Sequence, residues 1–253
     1  MLPNSKIVEV NLKNINQYPP TCFLKEDNVG YLKKRAWLEE RFKEGLKIKL
    51  LYLEGEKKPT GYVEYIPGEF AWRAVDAQGY LFIHCLWTYK KKYQGQGLGT
   101  LLIKEVEKEA EKQDLVGVAT VSSEGSFMAS KALFVKNGYQ SVDRASPSFK
   151  LMVKNRRKGP TPHFKDCQKV LEKVKGWQII YSDQCPWVAR FIEEEKSLLA
   201  KKRIKVTRLK TAQEVQNGPS IYGVFNLIND GKLLADHYIS KRRFLKILAR
   251  EKA

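Results

Sequence analysis

Gly79-Tyr80-Leu81-Phe82-Ile83-His84-Cys85-Leu86-Trp87-Thr88 runs, past three lysines, into Tyr93-Gln94-Gly95-Gln96-Gly97-Leu98-Gly99-Thr100. The first run is rich in aromatic and branched residues and predicts a strand. Beyond the glycines, Leu101, Leu102, Ile103, Val106 and Ala110 recur at helical spacing. Three glycines between a strand and a helix expose backbone N–H groups at a helix N-terminus, an arrangement that holds phosphate. Glycines would also suit a tight turn chosen for its geometry alone.

Upstream, Ile7, Val8, Val10 and Leu12 predict a strand over 6–12. A helix over 30–44 follows, and then strands 46–53 and 61–66, joined as a hairpin through Glu54-Gly55-Glu56-Lys57. Downstream, the spacing predicts a helix over 98–113, a strand over 116–121 and a helix over 127–136 closed by Asn137-Gly138. Short strands at 139–142 and 149–153 complete a mixed α/β sheet, so the first domain is read as 1–154. Residues 155–165, with Arg156, Arg157, Gly159, Pro160 and Pro162, read as a linker. A second domain, 166–253, carries a strand at 178–181, a helix from Pro186 to about 201 and a strand at 204–209. A short helix at 211–215 comes next, then strands at 222–227 and 233–238 around Asn229-Asp230-Gly231, and a helix at 241–249.

The 253 residues hold 46 basic and 28 acidic side chains, a formal charge of +18 that favours encounters with anions. The basic residues are scattered, and no nucleic-acid motif accompanies them, so specific nucleic-acid binding is not expected. A hydrophobic fraction of 43% excludes global disorder. No run approaches the ~20 apolar residues of a membrane span, and Met1 to Val10 lacks the pattern of a secretion signal. Cys22, Cys85, Cys167 and Cys185 are irregularly spaced and form no C-x-x-C pair, which points to a reducing, cytoplasmic setting.

Gln94-x-x-Gly97-x-Gly99, set between a strand and a helix, resembles the pyrophosphate motif of the GNAT superfamily of N-acetyltransferases. The element order from Lys6 to Val153 fits that fold, whose central strands splay apart. A dinucleotide-binding fingerprint suits the stretch poorly, because the acidic residue expected after a second strand is missing. The resemblance implies acetyl-CoA as cosubstrate. Its phosphates would meet Gln94, Gly95, Gln96, Gly97, Leu98, Gly99 and Thr100. Its pantetheine arm would lie in the splay, mapped onto Leu86, Trp87 and Thr88 and onto the facing strand near Val118 and Ala119. The acceptor implied is a primary amine of a small molecule or a protein, attacked directly in a ternary complex.

The amine needs a base. His84 and Glu64, on neighbouring strands, are the candidates, with Asp76 or solvent as alternatives. The general acid is where the sequence departs from the family: counting back from Gly138, the usual Tyr is Phe134, and Phe127 stands near the place of the usual Asn. Tyr139, Ser130 or water is left to protonate the thiolate. Trp72, Arg73 and Tyr65 are candidates for the acceptor pocket or for core. In the second domain, Cys185-Pro186-Trp187-Val188 at a helix start, and Gly218-Pro219-Ser220 as a cis-proline loop, resemble the thioredoxin and glutaredoxin fold. A thiol there should have a lowered pKa. The family's second cysteine falls at Val188, which leaves a monothiol role or a recognition or dimerisation module. Over nearly its whole length the chain resembles the YoaP-like proteins, which join an acetyltransferase domain to a small C-terminal domain.

Overall fold

The computed structural model describes residues 4–89, 91–93, 95–125 and 128–251. The chain divides into two compact units: Met1–Pro20, Arg41–Ala71 and Val75–Phe164 form one, and Thr21–Glu40, Trp72–Ala74 and Lys165–Ala253 the other. Neither is continuous, unlike the split at 154 expected from the sequence.

In chain order the first part carries β1 (Ser5–Val10), α1 (Val29–Lys43, counted with the second unit up to Glu40), β2 (Lys47–Leu53), β3 (Gly61–Pro67) and β4 (Val75–Asp76). It continues with β5 (Tyr80–Thr88), α2 (Leu98–Lys112), β6 (Gly117–Ser122), α3 (Lys131–Lys136), β7 (Gln140–Ala145), β8 (Phe149–Asn155) and β9 (His163–Phe164). Seven strands form a sheet in the order β1-β2-β3-β5-β6-β8-β7. Among them only β5 and β6 run parallel, which requires a crossover, and α2 supplies it. The stretch read as a linker ends in β9, which pairs with β4 through Val75 and Phe164. Helix α3 starts at Lys131, later than expected, because Ser130 caps it: its Oγ accepts from Ala132 N at 3.1 Å.

Helix α2 lays Leu98, Leu102, Ile103, Val106 and Ala110 against Val63, Tyr65, Leu81, Ile83, Leu86 and Val118 of the sheet. Each fully buried aliphatic side chain of this kind contributes ~1.5–3 kcal/mol. The rim of the helix is tied to β2 by Lys47 Nζ–Glu109 Oε1 at 2.7 Å and Lys49 Nζ–Glu105 Oε2 at 3.2 Å.

The second unit adds α4 (Gln168–Leu171), β10 (Trp177–Tyr181), α5 (Pro186–Glu194), α6 (Lys196–Lys201), β11 (Lys205–Arg208) and α7 (Ala212–Gln216). It ends with β12 (Phe225–Asn229), β13 (Lys232–Ala235) and α8 (Lys241–Arg250). Its sheet order is β11-β10-β12-β13, with β10 parallel to β11 and antiparallel to β12. The single helix expected from 186 to 201 breaks at Glu195. Phe191 and Phe244 meet edge to face at 5.5 Å within the core of this unit.

Burial alone would raise the Glu109 carboxyl, but hydrogen bonds from Lys47 and Gln113 outweigh it and hold it below its ordinary value. Its ionised form therefore stabilises the fold above the unfolded carboxyl pKa, and that contribution is lost as pH falls through the lower folded value. Melting temperatures measured from about pH 6 down to about pH 3 should fall less steeply for Glu109→Gln than for the unsubstituted protein.

Candidate functional site

The glycine turn opens on a short 3-10 turn, Lys91–Tyr93. Gln94, expected to begin the phosphate contacts, lies outside the described residues, as do Lys90 and Phe127. Gly95 and Gly97 take φ values of 80° and 84°, the left-handed region that favours glycine. Gly99 is small for a different reason: a Cβ there would stand 3.2 Å from Leu133 Cδ2. Gly97 caps α2 with no side-chain hydrogen bond, and the first turn holds no acidic residue. The N–H groups of Leu98, Gly99 and Thr100 precede the first intrahelical bond, from Leu101 N to Gly97 O at 3.0 Å. Together with the positive end of the helix dipole they form a cradle for an anion.

The flanking side chains are engaged locally. Gln96 Nε2 donates to Lys92 O at 2.8 Å. Lys92 pairs with Glu56 at 3.2 Å, and Tyr93 donates to the same carboxylate at 2.6 Å. The Leu98 side chain is buried in the core, which leaves it only its backbone to offer. Thr100 Oγ1 accepts from Asn137 Nδ2 at 3.1 Å, joining the start of α2 to the end of α3.

Strands β5 and β6 pair from Tyr80–Gly117 to Ile83–Thr120 and no further. At the last step Thr120 Oγ1 donates to Ile83 O at 3.0 Å. Beyond it β5 stays with β3, through Leu86–Val63, Trp87–Tyr62 and Thr88–Gly61, while β6 stays with β8. The two strands therefore part between residues 84–88 and residues 121–122. The mapping of the facing strand onto Val118 and Ala119 is corrected: those residues are hydrogen-bonded opposite Leu81 and Phe82, below the point of divergence.

A bulge lies at the same place. Glu64 pairs with Cys85 and Tyr65 with Ile83, so His84 is the extra residue. Leu81, Ile83 and Leu86 all face α2. The bulge therefore turns both His84 and Cys85 to the opposite face, which Tyr62 and Glu64 share by strand alternation. There His84 Nδ1 lies 3.4 Å from Glu64 Oε1, with neither side chain exposed. The Tyr62 hydroxyl donates to Glu64 Oε2, and Phe82 stands edge-on to the imidazole at 5.8 Å. The two alternative bases are thus one cluster. Tyr62 was missed in the sequence reading, although its position two residues before Glu64 on a strand was the available signal. Asp76 is exposed on β4, paired with His163.

Residues 12–139 match the model of the family described as the acetyltransferase (GNAT) family. The chain belongs to the GNAT family of acetyltransferases. It is 26% identical over 249 residues, 95% of its length and 97% of the relative's, to a *Bacillus subtilis* (strain 168) protein described as an uncharacterized N-acetyltransferase YoaP. Among solved structures it is similar to the aminoglycoside acetyltransferase AAC(6')-Ib in complex with coenzyme A. That match has 15% identity and a TM-score of 0.46, covering 60% of this chain and 95% of the other. It is also similar to a GNAT family N-acetyltransferase (YhbS) from *Escherichia coli* in complex with CoA. Here the identity is 15% and the TM-score 0.44, with 65% of this chain and 92% of the other covered.

Within this GNAT chain, Tyr139 is corrected as a general-acid candidate. It lies in the core beside α2, in edge contact with Phe134 at 5.5 Å. Burial, then the Glu107 carboxylate, pushes its phenol well above the ordinary value. Ser130 Oγ is engaged in capping α3. Tyr65 is core as well, while Trp72 and Arg73 belong to the second unit. In that unit Cys185 is half-buried at the start of α5, ahead of Pro186 at the first helical position. The expected cis-proline at Pro219 is also corrected: among the described residues the cis peptide bond is Ser146–Pro147.

Phe134 has no exposure and is surrounded by apolar side chains. Restoring the family's tyrosine with Phe134→Tyr should bury an unpaired hydroxyl and destabilise the protein by about 1–3 kcal/mol in denaturant titration.

Proposed function

We propose that the chain moves the acetyl group of acetyl-CoA onto a primary amine, of a small molecule or a protein, by direct attack in a ternary complex. The observation that carries this reading is the start of α2, where a left-handed glycine caps the helix with no side-chain cap hydrogen bond and no acidic residue follows in the first turn. Those N–H groups fit the pyrophosphate. The end of β5 at Leu86, Trp87 and Thr88, which pairs with β3 beyond its last step with β6, fits the amide-bearing pantetheine arm. Acetyl-CoA held there supplies the acetyl thioester. A backbone N–H of β5 polarises its carbonyl.

The buried pair His84 and Glu64, 3.4 Å apart, supplies the base that takes the amine's proton. Neither side chain is exposed, so in this proposal one water stands between the amine and the pair and carries the proton. With Phe134 lacking a proton and Tyr139 sequestered, the thiolate leaves without help from a tyrosine. A thiol pKa of about 8.5 permits that near neutral pH. The irregular spacing of Cys22, Cys85, Cys167 and Cys185, with no C-x-x-C pair, supports a reducing, cytoplasmic setting. No helix among the described residues is long and apolar enough to cross a membrane.

Titration calorimetry with acetyl-CoA tests the cofactor, and thiol release over a panel of primary amines tests the acceptor. Gly97→Val should weaken acetyl-CoA binding at least about tenfold, since φ > 0 strains a branched residue by ~1–2 kcal/mol and its side chain intrudes on the cradle. Wild-type protein that binds no acetyl-CoA, or a folded valine variant that binds normally, would refute the reading.

A second reading rests on Cys185. The order β11-β10-β12-β13, with β10 leading into α5, supports a thioredoxin-like second unit. Two and three residues before Cys185, Asp183 Oδ1 and Ser182 Oγ are buried without a hydrogen-bond partner among the described residues. In that reading the unit exchanges or senses thiols, and coenzyme A is a regulatory ligand. For the transferase reading, Cys185→Ala should keep turnover within about twofold; a loss beyond about tenfold would favour the thiol reading.

A further inference from the structure

Strand β11 (Lys205–Arg208) stands at the edge of the second unit's sheet. Its strand partner is β10, in parallel, with Val206 opposite Ile179 and Arg208 opposite Tyr181. Leu209 N donates to Tyr181 O at 2.7 Å, which sets the phase of the ladder: residues 205, 207 and 209 turn their backbone groups toward β10. Val206 and Arg208 therefore turn N–H and C=O to the open side, where no backbone partner meets them among the described residues. Ile179 lies in the core of this unit, so Val206 carries the apolar face of the sheet out to its edge, and there it is 39% exposed.

The charge along this edge has one sign. Residues 201–210 hold six basic side chains and no acidic one. Arg208 is engaged by Asp183 at 3.1 Å. Lys201, Lys202, Arg203 and Lys205 are exposed, and among the described residues no carboxylate pairs with them. Lysines on an edge oppose the addition of a like-charged strand, and a second copy of β11 would set these cations against each other. An acidic strand is their complement.

We propose that the open edge of β11 is a docking site for an extended acidic segment of another protein, added to the sheet as a further strand. Main-chain hydrogen bonds to Val206 and Arg208 hold it. Its residue beside Val206 is apolar and extends the core face, while the residues before and after it share the opposite face with Lys205 and are acidic. The segment thus reads acidic–apolar–acidic in either direction.

The test uses the full chain, isotope-labelled for amide NMR, and a capped hexapeptide of alternating glutamate and valine. Saturable shifts should centre on the amides of Val206 and Arg208, with half-saturation below about 1 mM. A peptide of the same composition with its glutamates in one block should bind at least about fivefold more weakly. Val206→Pro removes an outward N–H at an edge position, where proline is tolerated, and should weaken binding at least about tenfold. Should Val206→Pro not fold, N-methylation of alternate peptide amides removes hydrogen bonds from the ligand's side and should weaken binding as much. No saturable shift at β11, equal binding of the block peptide, or full affinity in both Val206→Pro and the N-methylated peptide would overturn the proposal. Dimerisation in sedimentation that Val206→Pro abolishes would assign the edge to a second copy, and an oligouridylate that displaces the peptide at equal affinity would assign it to nucleic acid. Either result overturns it as well.

Discussion

At Ile83 the backbone of β5 gives up its hydrogen bonds to β6 while keeping those to β3. Strand pairing is normally cooperative, and leaving one side of a central strand unpaired has a cost that something must offset. Here β3 holds β5 on one side, β8 holds β6 on the other, and α2 covers the strands with a continuous aliphatic stripe. Both strands are therefore anchored without each other where they part. The bulge at His84 falls one residue past the last pair, where the lost constraint from β6 makes an extra residue tolerable.

The two halves of the proposed site follow from this divergence in different ways. The cradle at Gly95–Thr100 is a backbone device. It depends on φ values open to glycine and on helix N–H groups that the N-cap glycine leaves uncapped. The Tyr62–Glu64–His84 cluster is a side-chain device on the face of the sheet away from α2. Its members compensate one another in a buried setting where each alone would be costly.

The second unit has a separate logic. Its four-stranded sheet carries its own aromatic core around Phe191, Phe225 and Phe244. Residues 21–40 and 72–74 are counted with it although they are distant in sequence. Local patterns cannot reveal such a grouping, because apolar spacing says which face of a helix is buried and nothing about what buries it.

Most of the strands and helices, and the glycine-rich start of α2, were legible in the sequence, because alternation, helical spacing and left-handed glycines are local properties, whereas the two-residue strands β4 and β9 were not. The GNAT resemblance drew on the same stretch. Three things were not legible. The divergence point was placed near Val118 and Ala119, below its position at Ile83 and Thr120, since register is a relation between strands. Tyr139 was read as an acid from its residue type, whereas burial beside α2 removes it from the site. His84 and Glu64 were separate alternatives until the bulge put them on one face, with Tyr62 beside them. A single inserted residue reverses the facing of everything after it, and only the partner strand shows where the insertion falls.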